Sequence, residues 1–176
     1  MQDKLLAELD AQLFSKQGRA PTVQETRAMD YCGALLLESM RCKPTVPVNQ
    51  RVNLQEDVVI GGVTIEKGTN VNIAAAVAFK DPKVFPDPER FNPERFLGES
   101  DAARAQVRAL QAFGAHTRIC IGMVMVKEEL KAMLAALLRH HRVQLKDANQ
   151  SYESDIEAGV NMPPPDKAIP FLLRKR

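Results

Sequence analysis

Residues 113–122 read FGAHTRICIG, and MVMVKEELKAMLAALLRHH follows at once. The second stretch is rich in apolar residues and long enough for a packed helix, expected over roughly 121–139. Cys120 therefore falls at a helix start. Such a position offers unpaired backbone N–H groups and the positive end of a helix dipole, both of which favour a thiolate. Arg118 adds positive charge two residues away, and Gly114 and Gly122 keep the backbone open to a flat or bulky group. A cysteine ligating iron needs N–H donors around its sulfur and room in front of it. The plain alternative is a buried structural cysteine, since free cysteine is commonly buried. A zinc site is a poor fit. His116 could pair with Cys120, but two more ligands are needed. His140 and His141 stand a helix away, and Cys32 and Cys42 lie among apolar or basic neighbours.

Upstream, YCGALLLESMR predicts a helix over about 29–41, ended by Lys43-Pro44. Glu38 and Arg41 are three apart and share one helix face. They are either an exposed pair of small value or a buried pair. A buried pair needs a further partner for the guanidinium fork, and Arg95, in the proline-braced FNPERF, is the candidate.

The remaining chain falls into short pieces. Residues 1–17 read as a helix with Leu5, Leu6, Leu9 and Leu13 in its apolar stripe, extended by Phe14. Gly18 and Pro21 end it. Thr22 followed by Glu25 has the pattern of a capping box. VVIGGVTI reads as a hairpin with strands near 57–60 and 63–66, and TNVNIAAAVAF as a strand running into a short helix. The proline-rich meander FKDPKVFPDPERFNPERF has Phe79, Phe85, Phe91 and Phe96 as its expected anchors. SDAARAQVR reads as a polar stretch leading to the cysteine loop, and 143–176 as short strands around a PPPDK turn. The class is mainly α with a small β region, α+β.

Composition narrows the function. The net charge is +2 with no dominant basic run, so nucleic acid is not an expected partner. Three cysteines, an odd number with no CxxC, do not form a secreted disulfide framework. No apolar run reaches the ~18 residues of a membrane span, and the charged opening helix is not a signal peptide.

Taken together and in this order, ESMR at 38–41, FNPERF at 91–96 and FGAHTRICIG at 113–122 resemble the ExxR motif, the PERF-type motif and the haem-binding loop of the cytochrome P450 family. The hairpin and the meander are also similar to that family, most of all its eukaryotic-type branch. The resemblance implies haem as cofactor, with Cys120 as the proximal thiolate ligand of its iron. Phe113 would shield the sulfur, Arg118 would pair with a haem propionate, and Gly122 would let the following helix approach the ring. Arg51, in VPVNQR, is similar to the arginine that also contacts a propionate. Glu38, Arg41 and Arg95 would support the cysteine loop. The implied activity is a monooxygenase, using O2 and electrons from NADPH through a reductase or other donor to oxidise a small apolar substrate. A haem-binding or scaffold protein without catalysis, and a haem-thiolate hydroperoxide isomerase or lyase, share the same loop.

Two departures from the family pattern carry information. His116 stands where the loop pattern FxxGxRxCxG expects glycine. If that turn needs a positive φ, histidine costs roughly 1 kcal/mol there. The resemblance also covers only the C-terminal part of a family member. The opening DKLLAELDAQL is similar to the helix that follows the long distal helix with its acid–alcohol pair. The expectation is thus a single partial domain over 1–176, with the N-terminal portion of the fold as a missing partner and poor activity alone. No membrane anchor is expected within this chain, whereas the resemblance implies full-length relatives often held at the endoplasmic reticulum membrane.

Overall fold

The computed structural model describes residues 1–13, 19, 21–53, 55–146, 155–157, 160–162 and 170–176. The opening helix, α1 (Gln2–Leu13), turns Leu5, Leu6 and Leu9 into the core. The Leu13 side chain, Phe14 and the Gly18 stop lie outside the described residues. The short α2 (Val23–Arg27) starts on the expected capping box. The Thr22 hydroxyl accepts from the Glu25 amide at 3.3 Å, and the Glu25 carboxylate accepts from the Thr22 amide at 2.8 Å.

The next helix, α3 (Asp30–Cys42), is buried on more than one side, with Tyr31, Cys32, Ala34, Leu36, Glu38 and Arg41 all inside. It separates two apolar clusters. One joins α1 to α3 and to the last helix through Leu5, Leu6, Leu9, Met29, Tyr31, Cys32, Ala135 and Leu138. The other joins α3 to the meander through Ala34, Ala75, Phe79, Phe85, Phe96 and Leu110. Met29, at the N-cap, supplies no side-chain cap to α3. The Glu8 carboxylate of α1 does so instead, accepting the amides of Tyr31 at 2.6 Å and Cys32 at 2.9 Å. A carboxylate there also complements the helix dipole. Nothing local in the sequence signals this, because the cap comes from a different helix.

Among the described residues, the strands form four antiparallel pairs of two. β1 (Asn49–Val52) pairs with β4 (Asn70–Ile73), and the β2 (Val58–Ile60) and β3 (Val63–Ile65) hairpin matches its expected position within a residue. β4 runs into α4 (Ala75–Ala78), as its composition suggested. Beyond the last helix, β5 (His141–Leu145) pairs with β8 (Phe171–Lys175), and β6 (Asp155–Glu157) with β7 (Val160–Met162). The PPPDK turn is outside the described residues. The architecture is mainly helical with a small β region, as expected.

Two expectations need correction. SDAARAQVR is not merely a polar connection: Asp101–Ala109 is a helix, α5. Ser100 caps it, accepting the Ala103 amide at 3.1 Å. One face packs, with Ala103 buried and Gln106 donating to the Val84 carbonyl at 3.0 Å. Alanine and glutamine are strong helix formers, and that propensity outweighed the polarity that suggested a loop. In the meander, Phe79, Phe85 and Phe96 are core residues, but Phe91 is only half-buried and joins neither cluster. The segment there is anchored by polar contacts instead.

Candidate functional site

Those polar contacts centre on Glu38 and Arg41, whose side chains are fully buried. Their spacing on α3 lets the guanidinium meet the carboxylate edge-on. Nε donates to Glu38 Oε2 at 2.8 Å and Nη2 to Oε1 at 3.0 Å. The remaining donors reach meander carbonyls: Nη1 to Phe79 O at 3.0 Å and Nη2 to Pro88 O at 2.7 Å. Phe85 closes one side, its ring centroid 5.6 Å from the guanidinium carbon. Its hydrogen bonds to Glu38 raise the Arg41 pKa above its ordinary value, against the opposing effect of burial, so Arg41 stays charged.

Arg95 completes the group. It lies in the 3-10 turn Pro93–Phe96, with 5% of its side chain exposed and Nε 3.2 Å from Glu38 Oε2. Its own terminal nitrogens donate to Pro86 O at 3.1 Å and Arg90 O at 3.3 Å. Asn92 also belongs here, although its residue type does not single it out. Its amide donates to Glu38 Oε1 at 2.7 Å, and its side chain accepts from the Glu94 amide at 3.2 Å. One carboxylate thus receives two guanidinium groups and a backbone amide, and the described residues contain no buried side-chain N or O without a partner. The structure brings the three sequence-selected residues together as a buried cluster, not as an exposed pair.

The cysteine loop has a different character. It leaves α5 and threads through the 3-10 turn His116–Arg118 into α6 (Met123–Leu138). Cys120 donates its amide to Phe113 O at 2.8 Å, and its own carbonyl accepts the Met123 amide at 3.2 Å. Gly114 adopts φ +75, where a Cβ would meet Arg118 O at 2.9 Å, so only glycine fits. His116 has φ +52, confirming that the turn needs a left-handed residue where histidine replaces the expected glycine. No side chain caps α6 at Gly122; the Cys120 carbonyl takes the first amide of the helix instead.

Cys120 is exposed, excluding the buried structural cysteine as its description. It opens on a cavity of about 420 Å³ lined by Phe113, Gly114, Arg118, Val126, Leu130 and Met40, among others. A neighbouring cavity of about 410 Å³ shares Arg118 and also has Arg51 on its wall. Arg51 donates to its neighbour's carbonyl, Gln50 O, at 2.7 Å. Among the described residues, the Arg118 side chain has no hydrogen-bonding or ion-pair partner, its amide alone donating to Ala115 O at 3.2 Å, and neither arginine meets a carboxylate. Gly122 has ordinary helical φ, and an added Cβ would stand 3.9 Å from the Cys120 sulfur. The chain itself therefore does not require glycine at this position; what glycine leaves free is the space beside the sulfur. No cluster of three metal-binding side chains surrounds Cys120 among the described residues, so the zinc reading lacks a ligand set.

A cytochrome P450 family model matches residues 1–171. The chain belongs to the cytochrome P450 family. Cytochrome P450 4V2 of Mus musculus is 35% identical over 176 residues, all of this chain and 32% of that protein. Cytochrome P450 4g15 of Drosophila melanogaster is 36% identical over 160 residues, 89% of this chain and 27% of its own length. A bacterial relative, the cyclooctat-9-en-7-ol 5-monooxygenase of Streptomyces melanosporofaciens, is 33% identical over 144 residues, covering 82% of this chain and 30% of that enzyme. The chain spans about a third of the length of these P450 relatives. Among the described residues, no helix is long and apolar enough to cross a membrane.

Proposed function

We propose that this P450 chain forms the haem-thiolate portion of a monooxygenase, corresponding to the C-terminal part of the family fold and forming one partial domain over 1–176. The observation that carries the reading is the exposed Cys120 thiol at the mouth of a mainly apolar cavity, with two arginines not paired to carboxylates on the walls beside it. The residues fit haem by their chemistry. A single soft donor on an open surface suits a metal delivered inside a macrocycle rather than one chelated by side chains. Arg118 and Arg51 would supply cations for the propionates, Phe113 would cover the sulfur from the loop side, and Gly122 leaves room beside it. Glu38, Arg41 and Arg95 do no chemistry. They fix α3 to the meander, and Met40, on α3, lines the cavity of Cys120.

Haem, when bound, would supply oxygen activation, with electrons from NADPH through a reductase or comparable donor. The protein's own contribution would be to hold the sulfur as thiolate among backbone amides and to keep its side of the cavity apolar. Thr45, Val46 and Asn49 also line that cavity and are the nearest candidates to touch a small apolar substrate. The other two-thirds of a full-length relative would supply the distal wall that excludes water and completes the substrate pocket, so turnover by this chain alone is expected to be poor.

The test is spectroscopic. The chain is loaded with haem, reduced and exposed to carbon monoxide. The red-shifted Soret band of a thiolate-ligated ferrous carbonyl is expected, together with its loss in Cys120→Ser. A wild-type spectrum without the red-shifted band would defeat the assignment.

A further inference from the structure

One cation near the cysteine loop has no place in the account above. Lys127 lies on α6, seven positions after Cys120, and is half-buried. Its Nζ stands 5.3 Å from the centroid of the Phe113 ring. No carboxylate pairs with it among the described residues. Its flank faces α3 across a cavity of about 190 Å³ lined by Gly33, Leu36, Leu37, Met40, Lys127 and Lys131. Burial, followed by the like charge of Lys131, holds its pKa below the ordinary lysine value. A charge kept in such surroundings needs a compensating contact, and the ring face of Phe113 is the contact present. Lys131, one turn on, is engaged elsewhere, donating to Thr26 O at 3.0 Å.

Phe113 is held twice. Its ring receives Lys127, and its carbonyl accepts the Cys120 amide at 2.8 Å. Cys120 in turn leads directly into α6, which carries Lys127. The contacts form a closed circuit from helix to ring to carbonyl to cysteine and back. We propose that Lys127 is a positioning residue for the cysteine loop: its ammonium pins the Phe113 ring to α6 and so fixes the backbone that presents the Cys120 sulfur. Because the ring that holds the cation belongs to the residue whose carbonyl accepts the Cys120 amide, the same cation is expected to favour negative charge at the sulfur. The positioning part stands on the contacts alone; the electronic part rests on the haem-thiolate reading.

The experiment separates the two. Lys127→Met keeps an unbranched, flexible stem and removes the charge, while Lys127→Arg keeps a cation that can stack on the ring. Amide exchange in the haem-free chain reads the positioning. Exchange at Cys120 is expected to rise about two- to fivefold in Lys127→Met, with the amides of α3 unchanged and Lys127→Arg close to wild type. In a Phe113→Leu background, Lys127→Met should add nothing. An unchanged rate at Cys120, a uniform rise across α3, an additive double variant, or Lys127→Arg behaving like Lys127→Met would each overturn the proposal. In the haem-loaded chain, Lys127→Met is expected to lower the midpoint potential of the iron and Lys127→Arg to restore it, because a nearby cation favours the reduced centre. An unchanged potential would overturn the electronic part. Absence of the thiolate spectrum in all variants would defeat the haem reading, while exchange at Cys120 still decides the role of Lys127.

Discussion

Two parts of this molecule are built from the same kinds of residue to opposite ends. Around Glu38, charges are sealed: Glu38 and Arg41 are fully inside, and they bond to each other, to Arg95, to backbone groups and to the half-buried Cys42 thiol. Around Cys120, the thiol is exposed and Arg118 faces open cavities. The sealed cluster spends its hydrogen-bonding capacity on holding α3 to the meander. The open loop leaves the Arg118 side chain and the Cys120 thiol uncommitted, which is the capacity the proposed haem site would use. Satisfied polar groups indicate structure, and unsatisfied ones beside a cavity indicate a binding site.

The comparison breaks most easily at the sealed cluster. Glu38→Ala leaves two buried guanidinium groups without their carboxylate and is expected to cost about 3–5 kcal/mol. By contrast, Cys120→Ser should change stability by no more than about 0.5 kcal/mol, as for other exposed positions. Denaturant unfolding of the two variants side by side checks this, and equal losses would erase the distinction.

The two thiols sharpen it. Burial, then the Glu8 carboxylate, pushes the Cys32 thiol from 9.0 up to about 11, while Cys120 is exposed. A folded-state pKa raised above the unfolded one means that the unfolded chain loses its proton first. The stability contributed by keeping Cys32 neutral is complete below about pH 9 and falls as pH rises to about 11, by on the order of 2 kcal/mol. Stability measured across that range should therefore fall more steeply for wild type than for Cys32→Ala. Parallel curves would refute this coupling. Alkylation at neutral pH should modify Cys120 well before Cys32, read by peptide mapping.

The smallest effect has the opposite sign. His116 holds φ +52, so His116→Gly is expected to stabilise the chain by roughly 1 kcal/mol. A rise in the denaturation midpoint without a change in slope checks it. A fall would show that the histidine ring makes a compensating contact.

What could be read from the residues follows from the range of the physics involved. The capping box at Thr22, the hairpin at 58–65 and the helix after Cys120 are local patterns, because propensity, turn chemistry and hydrophobic period act over a few residues. The pairing of Glu38 with Arg41 is also local, fixed by helical spacing. Arg95 was legible as a candidate because a proline-braced loop presents a second guanidinium, and the positive φ at residue 116 because a glycine was expected there. Other features had no local sign. Whether Glu38 and Arg41 were buried or exposed depended on Phe79, Phe85 and the carbonyls of the meander. The cap on α3 comes from Glu8 across the fold, and which face of α5 packs was set by Val84, whose carbonyl accepts from Gln106. The cation over Phe113 required α6 to fold back beside the loop that precedes it. The sequence by itself determined the family, most of the local elements and the cysteine proposed as the iron ligand. Only the tertiary structure decided which charges are sealed and which are left open, because burial and pairing depend on groups distant in the chain meeting in space.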